Sequence, residues 1–221
     1  MRKTQLVENE YYHIYNRGVD KRNVFLDDFD YIRFLKSIQE FNSVAPIGSL
    51  YEKTFRDKLE TKPPIGGLVS KRIVEIFAYC LNPNHYHFIL KQIEEKGIEK
   101  FMHKLGSGYT TYFNQKYERT GSLFQGPFKA AKINPNNFLY LSAHVNCNAE
   151  VHGIAKAENY RWCSFQDYIG KRNGKLCSKE IILDQFKNQK DYFDFAKENA
   201  VAMKEKKEFE KLLFEWNGFR D

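Results

Sequence analysis

Two apolar runs, Ile73 to Cys80 and Tyr86 to Gln92, stand on either side of Leu81-Asn82-Pro83-Asn84. Two asparagines and a proline within four residues are turn chemistry, so the runs are expected to pair as an antiparallel hairpin, and their lengths suit central strands. That hairpin fixes how the neighbouring segments can be arranged. Upstream, Tyr11 to Arg17 is aromatic and β-branched, ends at Gly18, and reads as a strand. Asp27-Asp28 then caps Phe29 to Phe41, where Ile32, Leu35, Ile38 and Phe41 recur at helical spacing. Downstream, Ile98 to Tyr117 reads as a helix. Phe124 to Ile133 reads as a strand interrupted by Gly126-Pro127. Asn134-Pro135 opens a further helix with Phe138, Leu141 and Val145 as its apolar stripe. The order βα, ββ, α, β, α predicts an α+β fold. It fits a ferredoxin-like or RRM-like antiparallel sheet with helices on one face better than a doubly wound parallel sheet.

Between Asn42 and Ser70 the pattern dissolves among Pro46, Gly48, Pro63-Pro64 and Gly66-Gly67. That stretch, about residues 43–70, reads as a loop insertion with a short helical piece around Tyr51 to Leu59. Past Gly153 the chain is less regular and becomes helical again from Ser178 to the end, closing on an amphipathic stretch with Phe209, Leu212, Leu213 and Trp216. The expected organisation is a domain over residues 1–170 and a helical extension over 171–221.

The 221 residues carry 35 basic and 28 acidic side chains, a net charge of +7, so an anionic partner fits. Aromatic residues make up 16% of the chain, and rings beside Lys and Arg serve as base-stacking platforms in single-strand binders. For Tyr109, Tyr112 and Tyr117, at stripe spacing on one helix, a core role is favoured over stacking. No run approaches the roughly 18 apolar residues of a membrane span, and the four widely spaced cysteines form neither a CxxC motif nor a dense disulfide scaffold. A cytoplasmic protein without membrane attachment is expected.

The most specific local signal is His85-Tyr86-His87, directly after the hairpin turn. In a strand, residues i and i+2 share a face, so both imidazoles can reach one ion, although a structural pair accounts for the same spacing. Asn148, near the end of the Asn134 helix, would add a hard amide oxygen suited to Mg²⁺ or Mn²⁺.

These residues sit within a longer pattern: Tyr11-Tyr12-His13-Ile14-Tyr15-Asn16-Arg17-Gly18, Pro83-Asn84-His85-Tyr86-His87, Gly121-Ser122-Leu123-Phe124-Gln125-Gly126, His144-Val145-Asn146-Cys147-Asn148, Tyr160-Arg161-Trp162-Cys163-Ser164-Phe165 and Tyr168-Ile169-Gly170. In collinear order over residues 8–170, this closely resembles the single-tyrosine HUH transposases, best of all the REP-associated tyrosine transposases. The resemblance implies a ferredoxin-like domain, frequently a homodimer, that cuts and rejoins single-stranded DNA near a hairpin. It also implies Mg²⁺ or Mn²⁺ held at His85, His87 and Asn148. In such proteins a tyrosine hydroxyl attacks a phosphodiester while the metal polarises the phosphoryl oxygen, leaving a 5′-phosphotyrosine that a 3′-OH later reverses.

The sequence departs from its relatives at the nucleophile. The family's tyrosine lies four residues before the helix ligand, on the same helical face, and His144 occupies that place here. Three accounts follow. The nucleophile is absent and the protein binds DNA without cleaving it; or Tyr140, one further turn of about 5.4 Å back, supplies the hydroxyl; or His144 itself acts, as a phosphohistidine nucleophile or a further metal ligand. A second departure is Pro127, where relatives commonly carry a basic residue. Lys129 and Lys132 on the following strand are candidates to compensate, and Arg17, Lys21, Arg22 and Arg161 are the other candidate DNA contacts. The expected function is therefore a metal-dependent, single-stranded DNA endonuclease and strand transferase acting at hairpin DNA. The alternative is a catalytically inactive, domesticated DNA-binding module. A nuclease using water would nick without an adduct, and an RNA-recognition module would need aromatics where the central strands carry His85 and His87.

Overall fold

The computed structural model describes residues 4–44 and 71–217, with side chains to residue 209. The proposed helical piece around Tyr51 to Leu59, and nearly all of the insertion, lie outside the described residues. Four strands form one antiparallel sheet: β1 (Tyr11–Arg17), β2 (Val74–Asn82), β3 (His85–Gln92) and β4 (Lys129–Lys132), in the order β2-β3-β1-β4. That is the ferredoxin-like order expected from the sequence, with Pro83 and Asn84 alone joining β2 to β3. Helices α1 (Asp28–Phe41), α2 (Gly97–Lys116), α3 (Phe138–Asn146), α4 (Asn148–Val151), α5 (Phe165–Tyr168), α6 (Glu180–Leu183) and α7 (Gln189–Asn217) complete the described chain. None of them is long and apolar enough to cross a membrane.

The chain divides into two compact units. The first comprises residues 1–75, 83–85 and 90–132. Its β1 alternates buried Tyr12, Ile14 and Asn16 with half-buried Tyr11, His13 and Tyr15. Helix α1 begins where Asp27 accepts a hydrogen bond from the Asp30 amide at 3.0 Å, as the capping signal predicted. It packs on α2 through a cluster of rings, Phe34 on Tyr109 at 4.8 Å edge-on and Phe25 on Tyr31 at 4.6 Å stacked. Tyr109 is fully buried and its hydroxyl donates to the Val24 carbonyl at 2.6 Å. Tyr112 and Tyr117 donate to the buried carboxylate of Asp30 at 3.0 and 2.9 Å. Tyr109 is thus a core residue, as its spacing favoured, whereas Tyr112 and Tyr117 are half-buried and tied to Asp30 through their hydroxyls.

Lys116 joins the same knot, reaching Asp27 at 2.7 Å and Asp30 at 2.8 Å. Its hydrogen bond to the Asp27 carboxylate holds that group below the usual carboxylate range. A carboxyl with a depressed folded pKa stabilises the fold above its unfolded pKa of about 3.9, and the contribution vanishes as pH falls through the folded value. Because Asp27 is 43% exposed, solvent screening keeps this to about 1 kcal/mol or less. Asp27→Asn is expected to lower the unfolding free energy at pH 7 by up to that amount and to change nothing at pH 2, read by urea denaturation at both pH values.

The strand expected over Phe124 to Ile133 is shorter than its sequence suggested. Gly126 adopts φ +77° and Pro127 follows, so regular pairing with β1 is limited to Lys129–Lys132, and Phe124 makes only an isolated bridge to Gly18.

The second unit comprises residues 76–82, 86–89 and 133–221. Its first helix opens as the sequence implied. Asn134 accepts from the Asn136 amide and Pro135 leads a 3₁₀ turn, but the continuous helix then stops at Asn146 and restarts at Asn148. Tyr160 to Phe165 is not merely irregular. Leu81 donates to Trp162 O, Ser164 donates to Tyr79 O, and Cys80 pairs with Cys163, so this stretch lies antiparallel to β2 and satisfies its edge. The C-terminal region is not one helix from Ser178. Short α6 and a break at residues 184–188 precede the 29-residue α7.

Candidate nucleic-acid and metal site

Helix α3 carries Tyr140 and His144, and Asn148 follows at the start of α4, each four residues from the next. What holds this segment still is the C-terminal helix. Tyr192 of α7 is fully buried, and its hydroxyl lies 3.2 Å from Ser142 Oγ and accepts from Asn146 Nδ2 at 2.7 Å. Ser164 Oγ donates in turn to Asn146 Oδ1. The polar side chains on the inner face of α3 are thus satisfied by α7 and by the strand-like Tyr160 to Phe165 segment, which locks the rotation of the helix about its axis.

His144 is half-buried, and its imidazole stands edge-on to that of His87 on β3, ring centres 5.7 Å apart and planes at 89°. Ring nitrogens of the two lie within 4.8 Å of each other. Burial pushes the His144 pKa below its ordinary value, so the ring is neutral at pH 7 and carries a nitrogen lone pair. Asn148, fully buried, lies against the same ring, its Nδ2 at 3.4 Å from His144 Nε2.

A residue not singled out by sequence reasoning as part of the site orients Asn148. Fully buried Asn82, the last residue of β2, donates to Asn148 Oδ1 at 2.6 Å and takes a weak thiol hydrogen bond from Cys80 on its own oxygen. This turns the Asn148 amide so that its NH₂ faces His144 and leaves the second lone pair of Oδ1 in a fixed direction. Asn84 acts likewise on the strand pair. Its Oδ1 accepts at 2.6 Å from His85 Nδ1, which puts the His85 proton on Nδ1 and the lone pair on Nε2. The signal in the sequence was present, two asparagines immediately before the His-x-His, but it served there only as turn chemistry.

His85 and His87 are both half-buried on either side of buried Tyr86, the alternation that puts them on one face of β3. Imidazoles on one strand face and a buried, oriented amide are donor types that a divalent cation takes, and the Asn84–His85 and Asn82–Asn148 hydrogen bonds already orient two of them. His13, on the strand beside β3 in the sheet, is also half-buried and stacks on Tyr15 at 5.0 Å. Tyr140 is 45% exposed.

Residues 51–146 match the family described as Transposase IS200 like. Over that stretch the chain is similar to the IS200-like transposases. A solved structure described as the REP-associated tyrosine transposase bound to a REP hairpin resembles it with a TM-score of 0.50 at 14% identity, covering 77% of this chain and 86% of that one. At that identity the likeness is one of fold. No curated protein matches the chain.

Of the candidate DNA contacts, Arg17, Lys21, Arg22, Lys129 and Lys132 are all exposed in the first unit. Pairing of Tyr15 with Lys129 puts Lys129 close to the Arg17 end of the β1–β4 ribbon, whereas Lys132 pairs with Glu10 at 2.8 Å. Arg22 turns back on Val19 O and Asp20. In the second unit, exposed Arg161 lies over the Trp162 ring at 4.3 Å.

Proposed function

We propose that this transposase-family protein binds hairpin-containing single-stranded DNA at a divalent-metal site formed by His85, His87 and Asn148, and does not transfer strands from position 144. The observation that carries this reading is His144 itself: a half-buried imidazole packed between His87 and Asn148, where the family resemblance expects a tyrosine. An ion there, Mg²⁺ or Mn²⁺ on that resemblance, would polarise a phosphoryl oxygen. His85 and His87 would hold it, Asn148 would complete the set, and exposed Arg17, Lys21, Arg22, Lys129, Lys132 and Arg161 would meet the phosphate backbone. Residues 1–170 form the transposase domain on this reading. Residues 171–221 are its buttress, with Tyr192 tying α7 to α3. The partners are hairpin DNA, of the kind bound in the structural relative, and a second copy of the chain; the setting is the cytoplasm.

A second reading keeps the endonuclease and strand-transfer activity through Tyr140, favoured by its 45% exposure. One turn is about 5.4 Å, a large displacement for in-line attack, where misplacement by 1 Å costs about 100-fold.

One experiment separates the two. The protein is mixed with Mn²⁺ and a labelled hairpin oligonucleotide library and run on native and denaturing gels, with light scattering on the same complex. Retained DNA, with affinity falling about 10³-fold between roughly 50 and 200 mM salt, and no covalent band is the expected result. A covalent band overturns it, and peptide mapping then decides between Tyr140 and His144. Salt-independent retention would remove the phosphate-contact argument, and a monomer peak would remove the second copy.

A further inference from the structure

Replacing a phenol by an imidazole does more than delete a nucleophile. It brings a nitrogen donor to the same place. Resting on the metal-site reading above, we infer that His144 is itself a metal ligand, and that with His87 and Asn148 it makes a site with two imidazole nitrogens taking Co²⁺ or Zn²⁺ in preference to Mg²⁺.

Three observations carry this. Nitrogens of His87 and His144 already lie within 4.8 Å. Two imidazoles on one tetrahedral ion, each about 2.0–2.1 Å from it, stand about 3.3 Å apart, so closure by at most about 1.5 Å is needed. Next, the partner of His144 Nε2 is the Asn148 NH₂ at 3.4 Å, a contact at the long limit of hydrogen bonding that an ion can displace at little cost. Finally, the backbone that carries His144 is held in place. Its helix is pinned by Tyr192 through Ser142 and Asn146, both fully buried, and these flank position 144 in sequence. A donor held beside a histidine of a metal-binding strand by a buried network is preorganised for coordination.

The chemistry of the donors sets the ion. Mg²⁺ prefers oxygen and retains its waters, whereas imidazole suits borderline ions, with affinity rising from Mn²⁺ through Co²⁺ and peaking near Cu²⁺. Each added imidazole therefore moves the site from Mg²⁺ toward Co²⁺ and Zn²⁺. It also fills a coordination position that a scissile phosphate would otherwise take, which agrees with a protein that holds DNA without cutting it.

The test uses metal alone on the intact protein. Co²⁺ is titrated by its visible absorption, with Zn²⁺ and Mg²⁺ as competitors, for the parent and for His144→Ala, His144→Tyr and His87→Ala. The expected result is Co²⁺ and Zn²⁺ binding at least about 100-fold tighter than Mg²⁺ in the parent. His144→Ala and His144→Tyr should weaken Co²⁺ by about 10–100-fold and leave Mg²⁺ within about twofold. If His87→Ala abolishes Co²⁺ binding while His144→Ala leaves it unchanged, the role of His144 is overturned and the metal site stands. If His87→Ala leaves Co²⁺ and Mg²⁺ binding unchanged, the metal site itself is wrong. Should the His144 variants not fold, long-range ¹H–¹⁵N correlation of the parent's histidine rings decides: a large Zn²⁺-dependent shift of a His144 nitrogen supports the inference, and its absence overturns it.

Discussion

His144→Tyr, given Mn²⁺ and hairpin DNA, is expected to form a covalent protein–DNA band that the parent does not form. The phenol would stand one helical turn before Asn148, on the face that His144 now presents to His87. In the attack its oxygen bonds to phosphorus as the bond from phosphorus to the 3′ oxygen breaks. The products are a 5′-phosphotyrosine and a free 3′-OH, with the phenolic proton passed to solvent. Position matters more than reagent strength here, because in-line transfer needs the attacking oxygen within about 3–3.5 Å of phosphorus. The buried Tyr192, Ser142 and Asn146 contacts already supply that rigidity. A denaturing gel followed by peptide mapping to position 144 checks the expectation. No band for either protein, with DNA demonstrably bound and metal present, would mean that position 144 does not face the phosphate.

The largest effect on stability is expected elsewhere in the same unit, at Asp167 and Arg172. Arg172 donates to both oxygens of Asp167 at 2.7 Å, to the carbonyls of Arg161 and Cys163 and to the Tyr79 hydroxyl, and Asp167 also accepts from the Gly174 amide at 2.9 Å. The Asp167 side chain is 3% exposed. Its carboxylate pushes the Arg172 pKa up, so the guanidinium is charged at every accessible pH. Asp167→Ala leaves that charge partly buried with only neutral acceptors, and breaking a buried pair costs about 3–5 kcal/mol. For a chain of this length that is a fall in Tm of about 6–20 °C, measurable by calorimetry. Since Arg172 grips the carbonyls of Arg161 and Cys163, the strand-like edge of β2 should loosen first, seen as faster amide exchange at Leu81 and Ser164. A loss below about 1 kcal/mol would assign the stability of this region to its aromatic packing.

The strands and the main helices were legible in the chain because their signals are local. Period-two burial in β1, the asparagine-proline turn and the Asp27 cap each act within a few residues, and each appears where the sequence put it. Readings that failed depended on backbone detail or distant partners. Gly126 at φ +77° shortened β4. Tyr160 to Phe165 has no periodicity, yet it pairs with β2, because its hydrogen-bond partners lie some 80 residues earlier.

At the site the division is similar. Spacing alone determined that His85 and His87 share a strand face, and that His144 and Asn148 stand one helical turn apart. Only the tertiary structure decided that His144 meets His87 edge-on, that Asn82 turns the Asn148 amide, and that Tyr192, from the C-terminal helix, holds the segment in place. Periodicity fixes the direction a side chain leaves its own backbone. Which groups it meets, and with which of their atoms, depends on elements far apart in sequence that are brought together only when the unit packs.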